Sequence, residues 1–432
     1  MRRIMLLLVL TILILPTRLA AQDSWNLEDC IQYAFDHNIQ IKQQQLNTRV
    51  NENELLQSRL SALPSLNAGA SHNFSFGRAL DETTYEFTQN QEVQSSSFNV
   101  NSSMTLFNGF QKWNSIRRDR FLLKASLQDL ERLKNEISLN VASAYLQILF
   151  NHELVDLASD QLKLIRQETD RTSKLVDAGS LARGNLLEMQ AQEANEELNL
   201  ANARNQLRSS YISMIQLLQL DSATGFEIDR PVLNALLSEE PVPSVDSIYQ
   251  VAREELPRIK GAEYDLRSQE EALDIARGQL SPRLSLNLNY GTRYSSIRDR
   301  ITGMDSVTVP IGRTQNNVPV FSTQAFPNYA DYPFWNQLED NASASVMFTL
   351  SIPVFNGWQV RNSIANARVG TLNARYELEI QENQLYKDIQ TAHSDASAAW
   401  KKYQAARKTV ESMQESFKYT QKKFEVGLVN SL

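Results

Sequence analysis

Apolar residues recur every three or four positions from Leu123 to Ile148, through Leu127, Leu130, Ile137, Val141 and Ala144, with Lys134 as the one miss. That spacing is the seam of a coiled coil. It lies within 69 residues between Gly109 and Gly179 that contain neither glycine nor proline, so nothing there breaks a helix. At about 1.5 Å per residue such a helix reaches roughly 100 Å. A compact domain of ordinary size does not accommodate it.

The pattern returns 248 residues later. Phe107-Asn108-Gly109 matches Phe355-Asn356-Gly357, Asn114-Ser115-Ile116 matches Asn362-Ser363-Ile364, and Gly179 matches Gly427. The second copy carries a cleaner seam, from Leu385 and Ile389 through Ala396, Tyr403 and Val410 to Phe417 and Phe424, with Thr420 its clearly polar member and Gly370 its one weak point. A register held over this length marks an internal repeat.

Ahead of each rod the period changes from 3.6 to two. Leu66, Ala68, Ala70, His72, Phe74 and Phe76 alternate with polar residues, as do Phe98, Val100, Ser102, Met104 and Leu106. The second half repeats this at Leu284 to Tyr294 and again at Ala342 to Val354. One apolar and one polar face predict two half-buried hairpins. Strands of about ten residues are long enough to cross a bilayer when tilted. A helix over Asn26–Leu63 precedes the first hairpin, and its counterpart lies 218 residues on, where Leu27 matches Val245 and Pro64 matches Pro282. The two offsets differ by 30 residues, and the excess falls in Ser295 to Asn341, read as an external loop rich in aromatics and proline.

The chain thus divides into a leader over 1–21, a first repeat over 22–243 and a second over 244–432. The first repeat comprises a helix, hairpin 65–107, long helix 110–178, return helix 181–220 and connector 221–243; the second comprises a helix, hairpin 283–355 and long helix 358–426. The predicted class is mainly α with a small β part. Long antiparallel coiled-coil helices join two hairpins, whose four strands cannot close a barrel alone. Open edges are intolerable in lipid, so copies must assemble; three give a 12-strand barrel with a lumen.

Composition narrows the reading. Arg2 and Arg3, an apolar core from Ile4 to Leu15, and Leu19-Ala20-Ala21 form a secretory leader. A core of that length falls short of the roughly 20 residues a membrane anchor needs. The chain carries 43 basic and 50 acidic residues, net −7, and loss of Arg2, Arg3 and Arg18 with the leader takes this to −10. An acidic chain of this kind is not expected to bind nucleic acid. Cys30 has no partner for a disulfide and is expected as a small buried residue on the first helix. His37, His72, His152 and His393 are scattered, without metal-ligand spacing, and no phosphate loop or nucleophile elbow is present. No enzyme activity, cofactor or metal is expected.

The chain resembles the TolC-like outer-membrane factor family. The resemblance rests on the leader, on Leu27-Glu28-Asp29-Cys30-Ile31 with Ala34 and Asn38, on the strand-ending Leu106-Phe107-Asn108-Gly109 and Val354-Phe355-Asn356-Gly357, and on the Gly179 and Gly427 turns. It covers residues 25–432. It implies a homotrimer in the outer membrane with a periplasmic helical extension, a passive exit duct for small molecules or proteins. It also implies a periplasmic adaptor and an inner-membrane pump of the RND or ABC type as partners. The adaptor would dock at the tip turns, Gly179, Ser180 and Leu181 in the first and Gly427, Leu428 and Val429 in the second. Asp177 and Glu425 precede the two glycines by two residues, and three copies would gather them into an acidic constriction. Two departures stand out. The family follows its second turn with a returning helix, whereas this chain ends at Leu432 and is expected to be truncated by roughly 40 residues. The family also often has Asp where this chain has Asn185. A periplasmic coiled-coil spacer or adhesin stalk is the competing reading, but a spacer has no need of lipid-facing strands. No His- or Met-rich tract favours a duct for metal ions.

Overall fold

The computed structural model describes residues 24–78, 80, 85, 87, 91–221, 225–230, 243–426 and 428. The leader and most of connector 221–243 lie outside them. Within them the protein is mainly helical, with a four-stranded and a two-stranded sheet.

The first helical stretch is two helices, α1 (Leu27–His37) and α2 (Ile39–Leu60). Asn26 caps α1: its side chain accepts from the Asp29 amide at 2.8 Å, and Asp29 accepts from the Asn26 amide in return. Asn38, with φ −61° and ψ 126°, then turns the chain. Its Oδ1 accepts from the Gln40 amide, so one residue ends α1 and starts α2. The expected single helix is corrected on this point. The second repeat divides at the equivalent place, Leu256, between α5 (Val245–Glu255) and α6 (Pro257–Gly278). Pro257 lacks the N–H that would continue α5 but suits the first position of α6.

The long helices are α3 (Gln111–Asp177) and α8 (Gln359–Glu425), 67 residues each, and α4 (Arg183–Leu218) follows the first. Gly370 does not interrupt α8. The neighbouring Thr371 hydroxyl donates to the Gln269 carbonyl of α6 at 3.2 Å.

The larger sheet runs β1 (Ser65–Gly77), β2 (Gln91–Phe107), β3 (Arg283–Ser295) and β6 (Ser343–Ser351), antiparallel throughout. Segment 295–341 is not a loop. It forms a second hairpin, β4 (Asp299–Arg313) and β5 (Pro319–Asp331), and a short helix α7 (Phe334–Asp340). Gln337 of α7 is buried and clamps the hairpin base: it accepts from the Ser295 amide and donates to the Ser295 and Tyr332 carbonyls.

Two compact units result. The first comprises Met1–Glu52, Phe121–Leu266 and Ala374–Leu432; the second, Asn53–Arg120 and Arg267–Asn373. Each draws on both sequence repeats. The first is centred on Cys30, Ala34 and Ile41, packed with Ile137, Val141, Tyr145 and Ile148 of α3, Met214 and Leu218 of α4, and Phe226 and Ile228. Tyr145 donates its hydroxyl to the Asp229 carbonyl at 2.6 Å, and Trp25 bridges to Ile228, tying both ends of the first repeat to this core. The predicted seam is only partly covered. Ile137, Val141 and Ile148 are buried, Leu127 is exposed, and from Lys401 onward every described side chain of α8 is exposed.

The second unit holds both sheets and the ends of the helices that feed the larger one. Gly109, φ +65°, leads β2 into α3 and meets Gly278 at the end of α6. A Cβ on either would lie 2.5 Å from the other's carbonyl oxygen. Gly109→Ala should therefore cost about 2 kcal/mol or more from strain and overpacking, and Gly278→Ala should destabilise as well. Gly184→Ala, into open space, should cost nothing measurable. Unfolding midpoints in urea check this, and equal midpoints for all three variants would contradict it.

Candidate functional site

The register of the four strands sorts their side chains onto two chemically distinct faces. Ala68, Val100, Tyr290 and Ala344 lie opposite one another in sequence across the sheet, as do Met104, Leu286 and Phe348. The other face runs Asn67–Asn101–Asn289–Ser345 and, one step nearer the helices, Ser65–Ser103–Asn287–Met347. Because side chains alternate strictly, each row belongs wholly to one face. Ser65 and Ser103 hydroxyls meet at 2.9 Å and those of Ser71 and Ser97 at 2.7 Å, so the polar face satisfies part of its own hydrogen bonding.

Among the described residues nothing covers the apolar face. Leu66 is 76% exposed, Val346 64% and Phe348 65%. An apolar band of this extent on a sheet face marks a surface that meets something apolar. The one imidazole on it, His72, is held by the Ser96 hydroxyl at 2.8 Å and packs edge-on against Phe74. The outer strands, β1 and β6, each have one ladder partner, so each leaves a row of backbone donors and acceptors unpaired. All four strands run into helices at the same end of the sheet, while its other end carries α7 and the β4–β5 hairpin. There Phe334 stacks edge-on over Phe98 and packs on Tyr294, and Trp335 is 76% exposed. No described helix is long and apolar enough to cross a membrane.

The second element is the reversal between α3 and α4. Gly179 has φ +76°, its amide donates to Val176 at 2.9 Å, and the Ser180 amide donates to Leu175 at 2.8 Å. This is the Schellman closure of a helix, and it requires the left-handed residue that glycine supplies. Asp177 and Ser180 are exposed, Leu181 is half-buried, and Ala182 starts α4 without a side-chain cap. At the end of α8 the Leu428 amide donates to Lys423 at 2.8 Å, the repeat equivalent of the Ser180 bond. Leu428 is 74% exposed. Gly427, Val429 and the Glu425 side chain lie outside the described residues. No described hydrogen bond or ion pair joins one turn to the other, and no cluster of His, Cys, Asp or Glu among the described residues is arranged for a metal. The sequence pattern does not reveal the aromatic cluster of α7. Its one signal is the run Phe334-Trp335 between Pro333 and Gln337, which reads as part of a loop.

The sequence model of a family described as outer membrane efflux protein matches residues 30–219 and 248–432, so its two matched segments fall one in each repeat. The outer membrane protein TolC of Escherichia coli (strain K12) is 21% identical over 384 residues, which cover 86% of this chain and 68% of TolC. In structure the chain is similar to the outer membrane channel CmeC of Campylobacter jejuni, with a TM-score of 0.74 at 14% identity, covering 95% of this chain and 79% of that one. A membrane protein from Pseudomonas aeruginosa matches with a TM-score of 0.72 at 17% identity, covering 94% and 84%.

Gly179→Ala would keep the turn but force alanine into the left-handed region, with no steric contact to add. The expected cost is about 1 kcal/mol. Gly179→Asn should recover about half of it, as read from thermal unfolding. A gain in stability for Gly179→Ala would show that the turn is not left-handed.

Proposed function

The chain belongs to the outer membrane efflux protein family, and from that premise we propose that three copies form a passive exit duct across the outer membrane. The four-stranded sheet is the observation that carries this reading. One face is apolar and exposed, the opposite face is mostly hydroxyl and amide, and both edges are unpaired. Lipid accepts the first, water the second, and only lateral closure satisfies the third. Because each copy contributes an even number of antiparallel strands, β1 of one copy can pair antiparallel with β6 of the next for any number of copies. Two copies would give an eight-stranded barrel whose interior side chains fill; three give twelve strands and leave a passage. The strands then lie in the outer membrane and the long helices in the periplasm.

Several finer assignments belong to the same proposal. An inner-membrane pump of the RND or ABC type would supply the energy, and a periplasmic adaptor would engage the turns at Gly179, Ser180 and Leu181 and at Gly427, Leu428 and Val429. The open Gly179 turn and the exposed Leu428 support this, since both present backbone and side chains to solvent. Asp177 and Glu425 sit at the carboxyl ends of α3 and α8, where the helix dipole disfavours negative charge. That placement favours a role in the passage, as a ring of carboxylates attracting cations at its periplasmic end.

The purified full chain in detergent should run as a trimer and form pores of low conductance in a planar bilayer. Millimolar divalent cations should block the wild-type pore, and Asp177→Asn with Glu425→Gln should relieve the block about tenfold. A monomer without conductance would overturn the duct. Unchanged block in the variant would overturn only the carboxylate ring.

A further inference from the structure

Where the sheet meets the helices, its polar face opens into a recess of about 500 Å³. The floor is the row Ser65, Ser103 and Asn287, with Thr105 beside it. Two cations line it: Arg283, the first residue of β3, and Lys112, in the first turn of α3. The Lys112 ammonium donates to the Ser61 carbonyl at 2.6 Å, and the Arg283 guanidinium reaches the Thr105 hydroxyl at 3.4 Å. Those bonds use one of three lysine donors and one of five arginine donors. Neither cation forms an ion pair among the described residues. The polar face of the four strands contains no Asp or Glu at all, from Ser65 to Ser75, Ser95 to Thr105, Arg283 to Ser295 and Ser343 to Ser351.

Two like charges in one recess without a carboxylate repel each other. Burial, and after it the Arg283 charge, hold the Lys112 ammonium below the usual lysine range. A bound oxyanion would neutralise the pair, accept from the idle donors of both cations, and meet the hydroxyls and the Asn287 amide on the floor. Charge of one sign with hydroxyl and amide donors at this size suits a carboxylate or phosphate group of a small solute. The pair, one cation from each repeat, has no counterpart at the repeat-related positions. The position equivalent to Lys112 is Val360, which is buried, and that equivalent to Arg283 is Ser65. The cations are thus a departure from the internal symmetry that shapes the rest of the chain, one recess per copy.

We propose that this recess is an oxyanion-binding site, formed by Lys112 and Arg283, that takes the carboxylate or phosphate group of a solute on the polar side of the sheet. The site itself rests on the residues of one chain; only its identification as a contact for anionic cargo rests on the duct reading above. A duct so equipped would hold anionic solutes briefly at the entrance to its strands.

Titration calorimetry of the purified full chain in detergent, at fixed ionic strength, with inorganic phosphate as the probe, tests it. One phosphate per chain is expected, and citrate should displace it. Lys112→Gln and Arg283→Gln should each weaken binding about tenfold, the loss of one charge-assisted bond, and Arg283→Lys should retain most of it. Arg293→Gln, on the same face at the far end of β3, should bind as wild type. No phosphate binding by the wild type, or an equal loss with Arg293→Gln, would overturn the site. Because the titration needs no conducting pore, its failure is distinguishable from failure of the duct.

Discussion

The two unpaired edges of the larger sheet constrain everything else. β1 and β6 expose backbone donors and acceptors beside an apolar face, and no described element covers either. In water such an edge invites aggregation; in lipid each unmet amide costs several kcal/mol. In the duct proposed above, a closed barrel built from several copies satisfies the edges and the apolar face together. The hydroxyl and amide rows then face a common interior. The sequence repeat is the economical route to this result, since one hairpin-and-rod unit used twice supplies four strands of alternating direction.

The helical part is subordinate to that geometry but has its own requirements. All four strands enter or leave helices at one end of the sheet, and backbones must pass close there. Gly109 and Gly278 make one such close approach, with no room for a Cβ on either. Asn38 and Leu256 turn the entering helix at equivalent points of the two repeats, by different chemistry: a side chain that bonds the next turn in one, a following proline in the other. The same fold position is thus met by two sequence solutions.

Much of this architecture is legible in the amino-acid sequence. The rods follow from a glycine- and proline-free run and fall within a residue or two of their expected ends. β1 and β3 follow from alternation alone. β2 begins earlier than its pattern because Ser95, Ser96 and Ser97 show no alternation, yet they pair with the well-patterned end of β1 and with β3. β6 stops at Ser351, two residues before Pro353, which has no N–H to give a ladder. The β4–β5 hairpin is hidden by Pro310, Pro319 and Pro327, which read as loop residues but are tolerated in a two-stranded ribbon with free outer sides. The break at Asn38 is hidden because Ala34 and Ile41 continue the apolar stripe across it; Pro257, shifted back by 218, is the available clue. Of the functional elements, Gly179 announces itself as a helix stop. The Lys112–Arg283 recess does not, because nothing in a linear reading brings together residues on different elements of different repeats.

Disulfide trapping of the edges tests the central claim most directly. Cysteines would be scanned at Asn67 and Ser71 of β1 against Ser345, Met347 and Thr349 of β6. The native Cys30 stays silent, since it is fully buried and burial, with Asp29 beside it, pushes its thiol up to about 12. At least one pair should give covalent dimers and trimers on oxidation in the outer membrane, while the corresponding single-cysteine chains give none. A scan that yields monomers at every pair, with the protein folded, would contradict closure between copies and the passage built on it.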